Sequence, residues 1–261
     1  MAETKLSTHQ LDALFLRDKN LVSEVMGQAS FTQAMLYHII GTDPTDGQTA
    51  IVDAVLVTLM EHGFTPSAIT TRLTYLSAPE AMQSAVAAGL LNVANNFVGT
   101  MENTAKILTK ILDNPSGLKK ACSEVVEEHR SSGSYIPGFG HHLHKPDDPR
   151  STKLFEIALM YKDIDKKPIE ALKTLSRTID KIYGKHLTIN ATGATAAVLM
   201  GARIPTSIMR GFAIVSRAAG LVAHILEEQE NPTAREIWDI VDKKVIYTGR
   251  EGASPKVADK C

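Results

Sequence analysis

The sequence lacks the features by which several classes of protein are usually recognised. It contains two cysteines, Cys122 and Cys261, which are too few for a disulfide framework, so we expect two free thiols in a reducing cytoplasm. No apolar run reaches the roughly 18 residues of a membrane span. The segment MAETKLSTHQ at the start has no apolar signal core. We therefore expect a cytoplasmic protein that has no membrane partner.

Charge of either sign is not in excess. Lys and Arg number 28 against 29 Asp and Glu, which leaves a net charge of -1. A chain so balanced has no overall field that attracts nucleic acid, so we expect none as a partner. Any anion must then be bound by a local arrangement of groups. The 261 residues, of which 44% are hydrophobic, are enough for a sizeable globular core.

Through most of the sequence, apolar residues recur at the spacing typical of helices. TAIVDAVLVTLMEHG predicts a helix that ends near Gly63, and PIEALKTLSRTIDKIYG predicts one that ends at Gly184. The Ala-rich stretch APEAMQSAVAAGLLNVANNFVGTMENTAKILTKIL stays periodic for some thirty residues. PTSIMRGFAIVSRAAGLVAHILEEQENP lies between Pro205 and Pro232 and is apolar almost all round, which predicts a buried helix. No alternating strand exceeds three or four residues, so we predict an all-α protein.

One short stretch, IPGFGHHLHKPDDPR, concentrates groups that can bind an anion. Pro137, Gly138, Phe139 and Gly140 predict a turn in which the glycines allow positive φ and leave backbone N–H groups uncovered. Uncovered amides next to Lys145 suit a phosphate or a carbonyl oxygen.

The same stretch carries imidazole and guanidinium groups. His141 can donate a hydrogen bond to a developing oxyanion or move a proton near neutral pH. Arg150 offers a planar fork for a carboxylate. A surface loop with incidental charges stays an alternative. A metal site at His141, His142 and His144 is disfavoured, because adjacent side chains diverge and no cysteine or carboxylate is placed near them.

The residues resemble the citrate synthase superfamily. In its signature loop a PG-aromatic-GH turn is followed nine positions later by the arginine of a DPR triplet, as His141 and Arg150 are here. LVTLMEHGFTPSAITTRLTYLSAPEAMQSAVAAGLLNVANNFVGTMENTAK is similar to the citryl-CoA lyase module at the C-terminal end of ATP-citrate lyase. RGFAIVSRAAGLVAHILEEQENP resembles the late helix of the family. The resemblance covers residues 25 to 240 approximately, and the short chain favours the compact citryl-CoA lyase type.

The resemblance implies an all-α fold with two helical domains and an active site between them. The large domain is expected at 1–98 and 203–261, and the small CoA-binding domain at 99–202. It also implies a homodimer or higher homo-oligomer. The expected ligands are an acyl-CoA and a di- or tricarboxylate, with the CoA thioester as substrate, no tightly bound cofactor and no metal.

Carried over by position, the resemblance assigns roles to single residues. His62 is placed at the carboxylic acid substrate, and His141 at the oxygen of the carbon that is joined or cleaved. Arg150 and Arg217 are placed as a carboxylate clamp. Arg235 is expected to reach in from the neighbouring subunit. Arg217 also stands on physical grounds, because an arginine in so apolar a helix needs a partner. The residues placed at CoA are Pro137, Gly138, Phe139, Gly140 and Lys145.

The sequence departs from the family pattern where the proton chemistry is expected. TINATGATAA places Thr192 where the family has its aspartate base, and a hydroxyl has no accessible charge state near pH 7. Glu102 or water is the candidate to replace that base. The resemblance places Phe97 in the thioester pocket, at the position where citrate synthases have a histidine, and the ATP-citrate lyase module is similar to this chain there. Val98 stands at a position where most members of the family have a glycine.

Three functions therefore stay open. The first is a carbon–carbon lyase that cleaves citryl-CoA or a related 3-hydroxyacyl-CoA into an acyl-CoA and a keto acid, or the reverse condensation of citrate synthase type. The second is a non-catalytic regulator that binds acyl-CoA or carboxylate, as Thr192 suggests. The third is a subunit of an ATP-dependent citrate-cleaving assembly, whose partner would supply citryl-CoA because this chain has no P-loop.

Overall fold

Helices dominate the protein, as predicted. The computed structural model describes residues 1–95, 98–141 and 143–249. Its first elements are the short strands β1 (Ser7–His9), β2 (Leu14–Leu16) and β3 (Lys19–Asn20), which pair antiparallel in this order. A single π-helical turn, Leu21–Val25, follows them. These strands are two or three residues long, so they do not change the all-α class.

The other long elements of the described chain are helices, which turns and loops connect. The α-helices are α1 Phe31–Ile40, α2 Asp46–Met60, α3 Pro66–Ser77, α4 Met82–Leu90, α5 Thr100–Leu112, α6 Leu118–Ser132, α7 Pro149–Met160, α8 Lys167–Tyr183, α9 Ala191–Gly201, α10 Met209–Glu230 and α11 Ala234–Lys244. A 3₁₀ turn, Thr206–Ile208, precedes α10.

Local sequence explains several helix ends. α1 begins with a capping box in which Ser30 and Gln33 satisfy each other's backbone N–H groups, and α2 begins in the same way at Thr45 and Gln48. α8 ends at Gly184, as predicted, because glycine there takes the left-handed conformation at φ +66°.

The chain divides into two compact units, residues 1–61 with 94–216 and residues 62–93 with 217–261. The division falls within α10. These limits do not coincide with the predicted domains at 1–98 with 203–261 and at 99–202, which stay a prediction.

In the first unit α9 is the central element. It contacts α2, α5, α7 and α8 and is buried along nearly its whole length. Its residues are mostly alanine and glycine, and small side chains let four neighbouring helices approach closely. This packing holds the segment that precedes α9 in a fixed place.

In the second unit α3 and α4 pack closely. A Cβ on Gly89 would lie 2.0 Å from the Thr71 hydroxyl oxygen, so only glycine fits at this contact. The neighbouring residue Arg72 is fully buried and donates to His224 Nδ1 at 3.0 Å, to Glu228 at 2.7 Å and also to Glu227. Glu228 in turn accepts the Ala234 N–H at the start of α11. Arg72 therefore ties three helices together.

Two helix predictions need correction. The Ala-rich stretch predicted as continuously periodic forms two helices, α4 and α5, which are separated by residues 91–99. Asn92 lies in this break and uses its side-chain amide to bond Thr70 and the Ala88 carbonyl. Asparagine competes with helical backbone in this way, and Gly99 adds flexibility.

The predicted burial of the apolar helix α10 is only partly right. Val222 and Leu226 are 46% and 56% exposed. By length and composition alone, Thr206–Glu230 could cross a membrane, with a mean hydropathy of 1.3 in a window that is half buried. The expectation that no segment is apolar and long enough is therefore wrong by this criterion. The evidence for a span is weak, because the core helix of a soluble protein passes the same test.

Candidate active site

The predicted turn adopts the conformation that its glycines allow. Gly138 and Gly140 have φ values of +88° and +83°, a region that residues with side chains rarely enter. Between them, Phe139 forms an isolated antiparallel bridge with Ile189. The Gly140 N–H donates to the Thr188 carbonyl at 2.8 Å. The turn is thus tied to the segment that leads into α9.

The turn also lies against the first turn of α9. The Asn190 N–H donates to the Gly138 carbonyl at 3.1 Å, and Asn190 Nδ2 donates to the Gly140 carbonyl at 3.0 Å. Asn190 Oδ1 caps α9 by accepting the Gly193 N–H at 3.0 Å. A Cβ on Gly193 would lie 2.5 Å from the Gly138 carbonyl oxygen. This close approach brings the turn next to position 192, about fifty residues away in sequence.

Arg150 is held by a carboxylate that the sequence analysis did not single out. Asp148 is fully buried, and its Oδ1 accepts the backbone N–H and the Nε–H of Arg150, both at 3.0 Å. Its Oδ2 accepts Arg150 Nη2 at 2.8 Å and the Ala191 N–H at 3.2 Å. Burial acts to raise the pKa of Asp148, but the hydrogen bonds and charge of Arg150 outweigh it and hold that pKa below its ordinary value.

This contact limits what Arg150 can bind. The Nε and Nη2 atoms of the guanidinium face Asp148, so the fork is already half occupied. Within the part of the chain that the structure describes, Nη1 has no acceptor, and this nitrogen can bind a substrate carboxylate. Asp148 acts as a positioning residue, because it fixes the direction of the guanidinium.

The geometry around His141 determines where its ring proton lies. Its Nδ1 accepts the backbone N–H groups of Leu143 at 3.1 Å and of His144 at 3.0 Å. A nitrogen that accepts cannot carry a hydrogen itself, so the proton of the neutral ring is on Nε2. The His144 ring lies beside it, tilted by 31°, with ring centroids 4.4 Å apart. Arg150 Nη2 lies 3.5 Å from Nε2, so two donors lie side by side, and one oxygen can accept from both.

Thr192 belongs to a short chain of polar groups. Its hydroxyl donates to Asn190 Oδ1 at 2.7 Å and lies 2.8 Å from the hydroxyl of Thr100. Because Thr192 has a single hydroxyl hydrogen, Thr100 is the donor in the second contact. The arrangement orients the half-buried Thr192 side chain. It provides no group that can accept a proton near pH 7.

Glu102, the candidate to replace the family's base, is engaged in an ion pair. Its carboxylate accepts Arg210 Nη2 at 2.8 Å, and the same nitrogen donates to Asn95 Oδ1 at 2.8 Å. The Glu102 side chain is 19% exposed. A role in proton transfer stays a prediction, and it would require Glu102 to act while bound to a guanidinium.

The second unit carries the other residues expected at substrate. Arg217 is only 8% exposed, and its Nη1 is 3.5 Å from the hydroxyl oxygen of Thr65. His62 is half-buried just beyond the end of α2. Arg235 is exposed on α11, with its guanidinium carbon 4.8 Å from the centre of the Trp238 ring. These roles stay predictions.

The structure brings together one group of predicted residues. His141, Arg150, Thr192 and the glycine turn lie in the first unit, linked by the contacts above. Lys145 is exposed in the same loop, and its bond to Pro146 is cis. Phe97, His142 and Cys261 lie outside the described residues.

Sequence reasoning missed two partners in this group. The signal for Asp148 was present in the DPR triplet, of which only the arginine was interpreted. Thr100 had no signal, because its contact with Thr192 joins residues 92 positions apart.

The helical fold and this turn define a domain of citrate synthase type. The family model described as "Citrate synthase, C-terminal domain" matches residues 9–238. That range is most of the chain, so the protein belongs to this family. Members of the family are enzymes of the citrate synthase or citryl-CoA lyase type.

Solved structures show the same fold. Citryl-CoA lyase from Hydrogenobacter thermophilus superposes with a TM-score of 0.84 at 27% identity, over 96% of this chain and 95% of that one. ATP citrate lyase from Methanothrix soehngenii, in complex with citrate and coenzyme A, superposes with a TM-score of 0.76 at 16% identity, over 88% and 39%.

Curated relatives are longer than this chain. "Putative citrate synthase 2" of Mycobacterium tuberculosis (strain ATCC 25618 / H37Rv) is 25% identical over 229 residues, which are 83% of this chain and 56% of the relative. "Probable ATP-citrate synthase" of Dictyostelium discoideum is 26% identical over 188 residues, 66% of this chain and 29% of the relative. The chain therefore spans about half or less of the curated relatives named here.

Proposed function

We propose that the protein is a carbon–carbon lyase that cleaves citryl-CoA, or a closely related 3-hydroxyacyl-CoA, into an acyl-CoA and a keto acid. The observation that carries the proposal is the pair of donors formed by His141 Nε2 and Arg150 Nη2, 3.5 Å apart beside the glycine turn. The likeness to a citryl-CoA lyase over 96% of this chain and 95% of that one supports the lyase direction.

In the proposed reaction, negative charge develops on the oxygen of the substrate's 3-hydroxyl group. The 3-hydroxyl group of the substrate gives its proton to water, one of the two candidates for the missing base, and its C–O bond becomes a carbonyl as the neighbouring C–C bond breaks. The electron pair of that bond moves to the carbon next to the thioester carbonyl, which then takes up a proton from water to give the acyl-CoA. His141, neutral with its hydrogen on Nε2, donates to the oxygen. Donors fixed in advance at such an oxygen lower the barrier substantially.

Arginines and the glycine turn are assigned to binding. Arg150 Nη1 and Arg217 are proposed to bind the substrate carboxylates. The turn with Gly138 and Lys145 is proposed to hold the CoA moiety. Arg235 is exposed, which supports its assignment to the site of a second copy in a homodimer.

Proton transfer is the step for which this chain departs from the family pattern, because Thr192 stands at the position of the aspartate base. Thr192 cannot act as base, and losing one general acid–base group typically costs about 10²–10⁴ in rate. Thr192 therefore also supports a second candidate, a regulator that binds acyl-CoA or carboxylate without turnover. Condensation of an acyl-CoA with a keto acid shares its transition state with cleavage. The same protein is therefore also assayed in the direction of condensation.

The test is direct. Purified protein is incubated with citryl-CoA, and the thioester and keto-acid products are followed by mass spectrometry. Thr192→Asp, Thr192→Val and His141→Ala are assayed in parallel. We expect cleavage by the unmodified protein, little change in Thr192→Val and loss of at least about 10²-fold in His141→Ala.

The variants separate the alternatives. Cleavage by Thr192→Asp alone would mean that the scaffold is intact but that the natural protein binds without turnover or acts on another substrate. If neither the unmodified protein nor Thr192→Asp cleaves citryl-CoA or forms it from an acyl-CoA and a keto acid, citryl-CoA is refuted as the substrate.

A further inference from the structure

His186 bridges two aspartates that belong to different parts of the first unit. Its Nδ1 is 2.7 Å from Asp180 Oδ2 in the last turn of α8. Its Nε2 is 3.1 Å from Asp147 Oδ1, in the loop between the glycine turn and α7. Asp180 is fixed by a further bond, since its Oδ1 accepts the Leu187 N–H at 3.0 Å. The histidine therefore connects a fixed helix end to the loop that carries Lys145.

Both contacts can be hydrogen bonds only when the ring is protonated. An ionised carboxylate accepts and cannot donate, and a neutral imidazole has one N–H. The cation donates from both nitrogens, whereas the neutral ring leaves one lone pair facing a carboxylate. The hydrogen bond with Asp180 raises the pKa of His186 above its ordinary value of about 6.5, and the bond with Asp147 acts in the same direction.

The position of Asp147 indicates that the conformation of the loop depends on this bridge. Asp147 precedes Asp148, the buried partner of Arg150, and follows the exposed Lys145 by two positions. The side chain of Asp147 is 65% exposed, so it has little packing to hold it. The Thr188 hydroxyl lies 2.5 Å from the Pro146 carbonyl oxygen and 3.3 Å from the His144 carbonyl oxygen, and donates its single hydrogen to this stretch of the loop. This anchor does not depend on pH in the relevant range. Loss of the bridge should loosen the loop without unfolding it.

We infer that His186 is a positioning residue: its cation holds Asp147 and keeps the Lys145 loop ready for the anionic moiety of a CoA thioester. This inference rests on the proposed function, which assigns Lys145 to CoA. When His186 loses its proton, the loop loosens and the Asp147 charge is no longer balanced. Both effects weaken attraction of a polyanion, so CoA binding weakens as pH rises.

The direction of the pH effect follows from the groups that face the ring. They are Asp180 on α8 and Asp147 on the loop, and both favour the cation. Lys185 is the adjacent charged residue; with His129 and Arg130 it lines a hollow of about 260 Å³ that does not include His186. A raised pKa means that the bridge is complete below about pH 6.5 and is lost as pH rises through the higher value.

The first experiment measures the loop without any ligand. Hydrogen exchange of the amides of Leu143, His144, Lys145 and Asp147 is followed by mass spectrometry at pH 6.0 and pH 8.5, as protection relative to intrinsic rates. In the unmodified protein we expect protection to fall at least about threefold at pH 8.5. His186→Gln should show, at both pH values, the low protection that the unmodified protein has at pH 8.5. His186→Arg stays charged and can donate to both aspartates, so it should show the high protection at both pH values. Equal protection in all three proteins at both pH values overturns the inference.

The second experiment measures binding of coenzyme A by calorimetry at the same two pH values. The affinity of the unmodified protein for CoA should fall between pH 6.0 and pH 8.5. This fall should be at least about threefold larger than the fall measured with His186→Arg, which is the control for titration of the ligand itself. If the loop responds but CoA binds at neither pH, the proposed function fails and the bridge stands as a pH-dependent contact. If CoA binds with the same pH dependence in all three proteins, the inference fails and the proposed function stands.

Discussion

Replacing Asp148 by asparagine tests whether the contact between Asp148 and Arg150 organises the candidate site. The carboxylate is fully buried and accepts four hydrogen bonds, three from Arg150 and one from the Ala191 N–H. An asparagine keeps the shape and one acceptor oxygen. Its NH₂ group, however, faces the donors that Oδ2 now accepts, and the negative charge is lost.

The expected cost is large for a single substitution. Removing one partner of a buried ion pair destabilises by about 3–5 kcal/mol. Water can reach part of the Arg150 side chain, which is 25% exposed, so we take the lower end, about 3 kcal/mol. For a protein of this size that loss lowers Tm by roughly 6–12 °C.

The assay is urea unfolding followed by circular dichroism, at pH 7 and at lower pH. The pKa of Asp148 is depressed in the folded state, so its contribution is present above the unfolded value of about 3.9 and is lost as pH falls below it. The difference between the two proteins should therefore shrink below about pH 4. Asp113→Asn, at an exposed position, serves as control and should change stability by less than about 0.5 kcal/mol.

A double-mutant cycle with Arg150→Met isolates the pair. The double variant should lose less stability than the sum of the single variants, with a coupling energy of at least about 1 kcal/mol. Additive effects, or an Asp148→Asn protein as stable as the original at pH 7, would refute the reasoning.

Two further predictions concern packing and the buried arginine. Gly89→Ala should destabilise by about 1–3 kcal/mol, because the new Cβ would lie 2.0 Å from the Thr71 hydroxyl oxygen, whereas Gly211→Ala, with no atom within 4 Å, should stabilise α10 by about 0.5–1 kcal/mol in the same thermal unfolding assay. Arg217→Ala should leave a helical protein by circular dichroism that no longer binds a tricarboxylate such as citrate by calorimetry; unchanged binding would contradict the assignment of Arg217 to the carboxylate clamp.

Much of the helical architecture could be predicted because its signals are local. The apolar spacing of α8 and the left-handed Gly184 that ends it are encoded within some twenty residues. The same reasoning failed between α4 and α5, where the alanine-rich pattern continued but Asn92 bonded Thr70 and the Ala88 carbonyl instead of extending the helix. It also overstated the burial of α10, because an apolar composition does not specify which face of a helix receives neighbours.

The candidate site divides in the same way. The turn at Gly138 and Gly140 could be predicted from the sequence, because few residues other than glycine take positive φ without strain. The sequence also showed that Thr192 stands where the resemblance expects an aspartate. Neither observation indicated where the proton of His141 lies.

Only the tertiary structure decided how these groups interact. The Nδ1 of His141 accepts two backbone N–H groups, the Arg150 fork is half occupied by Asp148, and Thr192 receives a hydrogen bond from Thr100. The first two contacts join residues two or three positions apart, but they form in a loop conformation that distant residues hold, since the Gly140 N–H donates to the Thr188 carbonyl and Asp148 accepts the Ala191 N–H. The third contact joins residues far apart in sequence. A turn or a helix end depends on neighbours in sequence, whereas the direction of a side chain at the site depends on contacts such as Thr100 with Thr192, 92 positions apart, which form only when α5 and α9 pack.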